Sequence, residues 1–182
     1  MKSVLTNDFV SFEDYLIKTA PVLQKFMLDN LELVISSFED RHHKDVDKYL
    51  YNPIRSYTKN CGKLHRPLTC LAAYLSANEG DTSSIDEVLP IACAIENFQT
   101  AALIHDDIAD DGKLRRGEPC MHLTQGQGIA INVGDFGLAS TVGGVVEALY
   151  QSSFTKQKIL NIVRQLIFME YMTIEGQAMD LG

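Results

Sequence analysis

The sequence predicts an all-α fold built around a single core. Apolar residues recur at helical spacing in almost every segment, and no strand-turn-strand pattern stands out. Neither an internal repeat nor a disordered linker interrupts the 182 residues. A chain of this length is about one domain's worth and can bury a sizeable core. We therefore treat residues 1–182 as one all-helical domain.

Capping residues and prolines predict the first helices. Ser11 with Asp14 resembles a capping box that opens a first helix. Pro21 fits the first turn of a second helix. The apolar stripe of that second helix consists of Leu23, Phe26, Met27, Leu31 and Val34.

Charges, prolines and a glycine predict the next breaks. The charged stretch 41–47 predicts a turn, and Pro53 is expected to disturb the short helical pattern around it. Pro67 predicts the start of a helix over 68–78, which Gly80 closes just past its C-terminus.

A long apolar helix is predicted ahead of the first acidic cluster. Ser84 and Glu87 form a second capping box, and the apolar pattern runs from Pro90 to the aspartates. The polar stretch 112–124 that follows predicts a loop.

The glycine-rich helix predicted over 127–150 is apolar enough to be considered as a membrane span. Within 126–146 only Asp135 is charged, but six glycines and several polar side chains favour a buried helix. We therefore expect no membrane-spanning segment. The apolar stripe of the last segment predicts a final helix over 155–180.

Charge and cysteine content argue against several function classes. The formal net charge of −8 is opposite in sign to the surface that binds nucleic acid, so we expect no nucleic-acid partner. The four cysteines include no CxxC pair, which argues against a zinc site and a disulfide framework. No basic segment followed by an apolar core opens the chain, so we expect a cytoplasmic protein.

An acidic cluster at the end of the long helix is the strongest chemical signal. Asp106 and Asp110 stand at i and i+4, so both carboxylates project from one helix face and can share divalent cations. Asp107 lies one position round the helix and can support them. Such oxygen ligands suit Mg²⁺, and Arg115 and Arg116 suit the anionic part of the same ligand. A solvated acidic helix end followed by a basic turn is the alternative interpretation.

A second anion site is predicted where a basic turn precedes Pro67. Lys63 and Arg66 follow Gly62 and lie just before and at the start of a helix. Free amides and the positive end of the helix dipole favour an anion there, and the two cations add charge-assisted hydrogen bonds.

Together these motifs resemble those of the trans-isoprenyl diphosphate synthases, the polyprenyl synthetase family. In chain order they are G-K-x-x-R-P, L-I-H-D-D-x-x-D, L-R-R-G, Gly134-Asp135, and Gly176-Gln177 with Asp180. The resemblance implies an isoprenoid-synthase-type helical bundle around a central cavity. It also implies a prenyltransferase that condenses isopentenyl diphosphate head to tail with an allylic diphosphate.

The resemblance implies roles for individual residues. Asp106, Asp107 and Asp110 would hold Mg²⁺ on the allylic diphosphate, and Arg115 would grip the same group, which makes these four the implied catalytic residues. The implied substrate-binding residues are Arg115 together with Lys63, Arg66, Gln99, Arg116 and Gln177. Gln99 stands where many members have a histidine, and its amide can still donate a hydrogen bond.

The resemblance requires no side-chain nucleophile. In the family the departing diphosphate is thought to take the final proton itself. We therefore expect His105 to be a packed neighbour of the metal site and not a general base.

Product length is implied by the residues that precede the aspartates. Ala101 and Ala102 lie about 1.2 turns before Asp106, so we expect them to line the channel below the metal site. Bulky aromatic residues at these positions stop chain growth early in the family. Two alanines therefore imply a geranylgeranyl or longer product, unless Phe98 blocks the channel deeper down.

The chain also departs from the family pattern. A second aspartate-rich motif and the lysine that normally precedes it are not found, and Leu64 stands where an arginine is usual. We therefore expect a domain that lacks its C-terminal helices and turns over poorly by itself.

Alternatives remain open at this point. The chain is the N-terminal part of a longer synthase, needs another chain to complete its site, or is a non-catalytic prenyl-diphosphate-binding or regulatory subunit. A class I terpene cyclase is disfavoured, because a cyclase has no isopentenyl diphosphate for the G-K-x-x-R-P element to hold. The resemblance also implies a homodimer.

Overall fold

The computed structural model describes residues 11–37, 44–150 and 152–182, and these are almost entirely helical. The helices are α1 Phe12–Ser36, α2 Lys44–Val46, α3 Asn52–Lys59, α4 His65–Ala77, α5 Ile85–Ala109, α6 Met121–Thr124, α7 Gln127–Leu149 and α8 Lys156–Leu181. A π-helical turn, Asp47–Tyr51, joins α2 to α3. A two-residue antiparallel hairpin, β1 Leu114–Arg115 and β2 Glu118–Pro119, lies between α5 and α6. The predicted all-α class is confirmed.

Helices α5 and α7 form the most extensive helix pair, and α1 packs against both. Close approach is possible because α7 presents glycines to α5: a Cβ on Gly137 would lie 2.7 Å from the Cβ of Ala101. Both helices are long and apolar enough to span a membrane by length and composition alone. Here about half of each apolar window is buried inside the bundle.

Three apolar clusters surround this central pair. One joins α1, α4 and α5, a second joins α1, α3, α5 and α7, and a third fixes α8 against α5 and α7. Their fully or almost fully buried members include Leu23, Met27, Leu68 and Leu89 in the first, Leu31, Ile54, Ile104 and Val133 in the second, and Ala94, Val145, Leu149 and Leu166 in the third. The site described below opens between α5, α7 and α8.

The first helix differs from the predicted pair of helices. Ser11 caps it as expected, because the backbone N–H of Asp14 donates to the Ser11 hydroxyl over 3.1 Å. The helix then continues through Pro21 to Ser36, so the break predicted at Pro21 is wrong. An internal proline costs roughly 3 kcal/mol, which the buried side chains of Leu23 and Met27 on the next turns offset.

In the middle of the chain, some of the predicted helix boundaries agree with the structure. Residues 41–43 of the predicted turn lie outside the described residues, and Lys44 already begins α2. The disturbance expected at Pro53 takes the form of the π-helical turn just before it. Helix α4 begins at His65, two residues before Pro67, and Gly80 closes it with φ +82° and an N–H donated to the Leu75 carbonyl over 2.8 Å.

Two further predictions are wrong. Helix α5 begins at Ile85 and runs through Pro90, and Ser84 makes no side-chain cap bond. The carboxylate of Glu87 instead accepts the backbone N–H and the hydroxyl of Ser153 over 2.7 and 2.8 Å, which ties α5 to the connection before α8. The stretch predicted as a polar loop contains the short hairpin and α6, because backbone pairing between β1 and β2 needs only two residues on each side.

Candidate active site

The three aspartates at the end of α5 have different environments. Asp106 is partly exposed and lines a cleft, whereas Asp107 is 2% exposed and Asp110 is exposed at the C-cap. Successive residues rotate by about 100° around a helix, so adjacent Asp106 and Asp107 face different neighbours. The acidic cluster is therefore divided between a cleft, a buried ion pair and solvent.

Asp107 is paired with Arg115 from β1. One carboxylate oxygen accepts from Nε of Arg115 over 2.8 Å and from its Nη2 over 2.5 Å, and Nη2 also lies 3.4 Å from Oδ2 of Asp106. The Tyr57 hydroxyl on α3 donates to the other oxygen of Asp107 over 3.4 Å. The hydrogen bond to Asp107 raises the pKa of Arg115. Burial, followed by the negative charge of Asp107, raises the pKa of Tyr57 well above its ordinary value.

A cavity of about 470 Å³ lies between α5, α7 and α8. Its polar end holds Asp106, whose Oδ1 accepts from Nε2 of Gln177 on α8 over 3.3 Å. Gln99, another predicted substrate-binding residue, also lines it. The apolar walls are formed by Phe98, Ala102, Leu103, Leu138, Ile174 and Leu181. The cleft thus joins a carboxylate and an amide to an apolar shaft.

Of the three residues expected to set product length, two line the cavity and one does not. Ala102 and Phe98 line the cavity, and Phe98 is 5% exposed. Ala101 is fully buried against Gly137 of α7 and is not among the residues that line the cavity. The expectation that Ala101 lines the channel is therefore not met, because it lies about 100° further round α5 than Ala102.

His105 lies at the cleft as a packed side chain. Its imidazole is stacked on Gly134, where a Cβ would lie 2.8 Å from Cδ2, and its Nε2 is 3.2 Å from Oδ1 of Asp135. Gly134 and Asp135 belong to the motifs that carry the resemblance. The glycine leaves room for the imidazole, and the carboxylate of Asp135 lies beside its Nε2.

Glu170 is a cleft residue that sequence reasoning missed. It lies on α8, its Oε1 has no hydrogen-bond partner among the described residues, and burial raises its pKa. The spacing of Glu170, Thr173 and Gln177 at i, i+3 and i+7 places them on one helix face, and this spacing could have revealed it.

The basic turn before α4 contacts the hairpin that follows α5. Leu64 has φ +55° and is 1% exposed, so it anchors the turn before α4, and none of the described side chains caps that helix. Arg116, also at positive φ, donates from Nη1 to the Asn60 carbonyl over 2.5 Å. The Arg116 guanidinium also lies beside Gly62, where a Cβ would be 3.4 Å from Nε, about van der Waals contact.

Arg66 and Arg116 converge on a buried carboxylate, Glu96 of α5. Nη1 of Arg66 lies 3.7 Å from one oxygen of Glu96, and Nη2 of Arg116 lies 3.9 Å from the other. Lys63, three residues before Arg66, is exposed. The structure therefore brings Arg66 and Arg116 together and adds a carboxylate that sequence reasoning missed.

The carboxylates at the end of α5 are the candidate ligands of the implied Mg²⁺. Among the residues that the structure describes, no three His, Cys, Asp or Glu side chains converge as a ready metal cluster. Asp107 is engaged by Arg115, and its role as a magnesium ligand stays a prediction. Asp106 and Asp110 remain, and Mg²⁺ needs only one or two carboxylates when phosphates and waters supply the other ligands. The residues present fit a cation that arrives with a diphosphate.

Comparison with known proteins identifies the family. The polyprenyl synthetase family model matches residues 47–182. A short chain isoprenyl diphosphate synthase of Methanocaldococcus jannaschii is 33% identical over 143 residues, which cover 79% of this chain and 41% of that protein. The large subunit 1 of a chloroplastic heterodimeric geranylgeranyl pyrophosphate synthase of Arabidopsis thaliana is 28% identical over 170 residues, covering 90% and 44%.

A solved structure agrees with these relatives. The crystal structure of geranylgeranyl pyrophosphate synthase from Lactobacillus brevis is similar with a TM-score of 0.57 and 27% sequence identity, over 80% of this chain and 39% of that one. The chain spans roughly two fifths of the length of the relatives it matches. The helical architecture is therefore an isoprenoid-synthase fold, and the chain belongs to the polyprenyl synthetase family.

Proposed function

We propose that the chain serves a Mg²⁺-dependent prenyltransferase that joins isopentenyl diphosphate head to tail to an allylic diphosphate. Membership of the family and relatives named as isoprenyl and geranylgeranyl diphosphate synthases support this proposal. The observation that carries it is the cleft, in which Asp106 stands at one end of a cavity with apolar walls. A diphosphate and its hydrocarbon tail require these two environments side by side.

The chemistry of ionisation explains why both environments are needed. Cleavage of the allylic carbon-oxygen bond leaves negative charge on the diphosphate, and bound Mg²⁺ would supply Lewis-acid stabilisation of that leaving group. Asp106 and Asp110 would hold the metal. The apolar walls exclude water, which would otherwise capture the allylic cation.

Arg115 is prepared for the same diphosphate. Asp107, which also accepts from the Tyr57 hydroxyl, holds the Arg115 guanidinium beside Asp106, so the arginine loses little side-chain freedom when a ligand arrives. We propose that Asp107 acts mainly by orienting Arg115, while Asp106 and Asp110 face the metal.

Isopentenyl diphosphate is assigned to the basic turn. Lys63 and Arg66 lie at the start of α4, Arg116 shares the Glu96 carboxylate with Arg66, and the free backbone N–H groups of the helix start favour an anion. Gln99 lies at the cleft and is proposed to donate a hydrogen bond to the same substrate. The two diphosphates would then approach α5 from different sides.

The shaft supports a geranylgeranyl or longer product. Ala102 leaves the first turn below Asp106 open, and Phe98 lies a further turn down the same wall. We expect Phe98→Ala to lengthen the products of the complete enzyme and Ala102→Phe to shorten them, as read by chromatography of the released alcohols.

Ligand binding to the 182-residue chain tests the proposal directly. Isothermal titration with a non-hydrolysable allylic thiolodiphosphate should show affinity that requires Mg²⁺ and falls about tenfold or more in Asp106→Ala. Asp111→Ala is the matched control, because Asp111 pairs with Lys113 at the surface and does not line the cleft. Binding that is independent of both Mg²⁺ and Asp106 would contradict the proposal.

A non-catalytic prenyl-diphosphate-binding or regulatory subunit is the second candidate. It is favoured by the engagement of Asp107 with Arg115, which leaves only two of the aspartates for a metal. Incorporation of radiolabelled isopentenyl diphosphate separates the two: binding without turnover, alone or in a homodimer, supports the subunit. Homodimerisation and a cytoplasmic location are further proposals, to be tested by light scattering and by imaging of a tagged chain.

A further inference from the structure

A buried carboxylate lies behind the two arginines of the basic turn. Glu96 is 2% exposed on α5, one turn before Gln99, and its two oxygens face Arg66 and Arg116 separately. We propose that Glu96 is a positioning residue that holds these arginines in place for a diphosphate. The assignment of that ligand as isopentenyl diphosphate rests on the proposed function.

The contacts of Glu96 are ionic and leave the arginine donors free. The separations of 3.7 and 3.9 Å exceed hydrogen-bonding distance, and the buried Oε2 has no hydrogen-bond partner among the residues that the structure describes. A buried carboxylate without hydrogen bonds is unfavourable by itself. Its attraction to two guanidinium groups compensates, and the N–H groups that do not bond to Asn60 stay available for an anion.

The two arginines come from separate elements and repel each other. Arg66 lies in the first turn of α4 and Arg116 lies at the hairpin turn after β1, more than forty residues later. A negative charge between them lets both cations occupy one place before any ligand arrives. The Asn60 carbonyl fixes Arg116 from a third direction.

Exposure increases outward from Glu96, which places the anion on the opposite side of the arginines. The Glu96 side chain is 2% exposed, that of Arg116 is 17% exposed, and that of Arg66 is 49% exposed. A ligand from solvent therefore meets the guanidinium groups before the carboxylate. Glu96 would act through the arginines without touching the ligand.

Substitution of Glu96 tests this role in the 182-residue chain. Glu96→Gln keeps the shape and removes the charge, and we expect it to weaken isopentenyl diphosphate binding about tenfold while allylic thiolodiphosphate affinity changes less than about twofold. Glu96→Asp, which keeps the charge, should restore part of the lost affinity. Asp86→Asn is the matched control, since it neutralises an exposed carboxylate in the first turn of the same helix.

The outcomes separate a positioning role from a structural one. Unchanged isopentenyl diphosphate affinity in folded Glu96→Gln, or an equal loss of both affinities with reduced helicity, would overturn the proposal. If Glu96→Gln does not fold, Glu96→Asp replaces it, and unchanged affinity in that variant overturns the proposal as well. Inorganic pyrophosphate serves as a second probe. Pyrophosphate binding that depends on Glu96, in a chain that does not bind isopentenyl diphosphate, would support the positioning role and reject the assigned substrate.

Discussion

The close contact between α5 and α7 predicts that Gly137→Ala destabilises the protein. The new Cβ would lie 2.7 Å from the Cβ of Ala101, about 1 Å closer than the optimal separation of two carbon atoms. The Ala101 Cβ is bonded directly to the backbone and cannot rotate away. One of the two central helices must therefore shift, or both must.

The magnitude follows from two opposing terms. Overpacking in a core costs about 1–3 kcal/mol, and replacement of glycine by alanine within a helix contributes about 1 kcal/mol in the stabilising direction. Gly143 lies on the same helix, and a Cβ there meets nothing within 4 Å. Gly143→Ala should therefore gain the helix term alone, which leaves Gly137→Ala about 1–3 kcal/mol less stable than Gly143→Ala.

Urea denaturation followed by circular dichroism measures this difference. If the m-values agree, the difference in midpoint reports the difference in the free energy of unfolding. In thermal melts it corresponds to roughly 2–4 °C for each kcal/mol in a domain of this size. A Gly137→Ala variant as stable as Gly143→Ala would refute the close helix contact.

Three further measurements examine other parts of the structure. Asp107→Ala leaves the half-buried Arg115 with only its longer contact to Asp106 and should lower the free energy of unfolding by roughly 1–3 kcal/mol, against less than about 0.5 kcal/mol for exposed Asp110→Ala, as read by urea denaturation. The raised pKa of Tyr57 means that the folded state keeps a proton that the unfolded state releases. Stability present below about pH 10 should therefore fall as the pH rises further, and less so in Tyr57→Phe than in the wild type. Burial raises the pKa of the Cys93 thiol to about 12, so under native conditions Cys93 should react with a thiol reagent far more slowly than half-buried Cys61, and equal rates would contradict its burial.

Helix ends were predicted correctly where they depend only on residues close in the sequence. The cap at Ser11 and the closing turn at Gly80 depend on backbone groups within a few residues, and both were found. Pro21 and Pro90 do not end helices, because buried apolar side chains after Pro21 and on both sides of Pro90 hold α1 and α5 continuous. The cost of an internal proline to a helix can be estimated from the sequence alone. The burial that offsets this cost depends on contacts with other helices, which the local sequence does not show.

The candidate site shows the same division. The order and spacing of motifs such as Lys63 to Arg66 and Asp106 to Asp110 indicated the family before any fold was known. Glu96 escaped notice, because one acidic residue within an apolar helix has no meaning until two arginines from other elements face it.

The sequence by itself determined the helical class, the family and the inventory of charged groups, because periodicity and motif spacing are properties of neighbouring residues. Only the tertiary structure decided which charges share a space. It directs Asp106 to the cleft and Asp107 to Arg115, and it places Ala102 on the cavity wall and Ala101 in the helix contact. The reason is geometric: adjacent helical residues point about 100° apart, and their partners lie on elements distant in the chain.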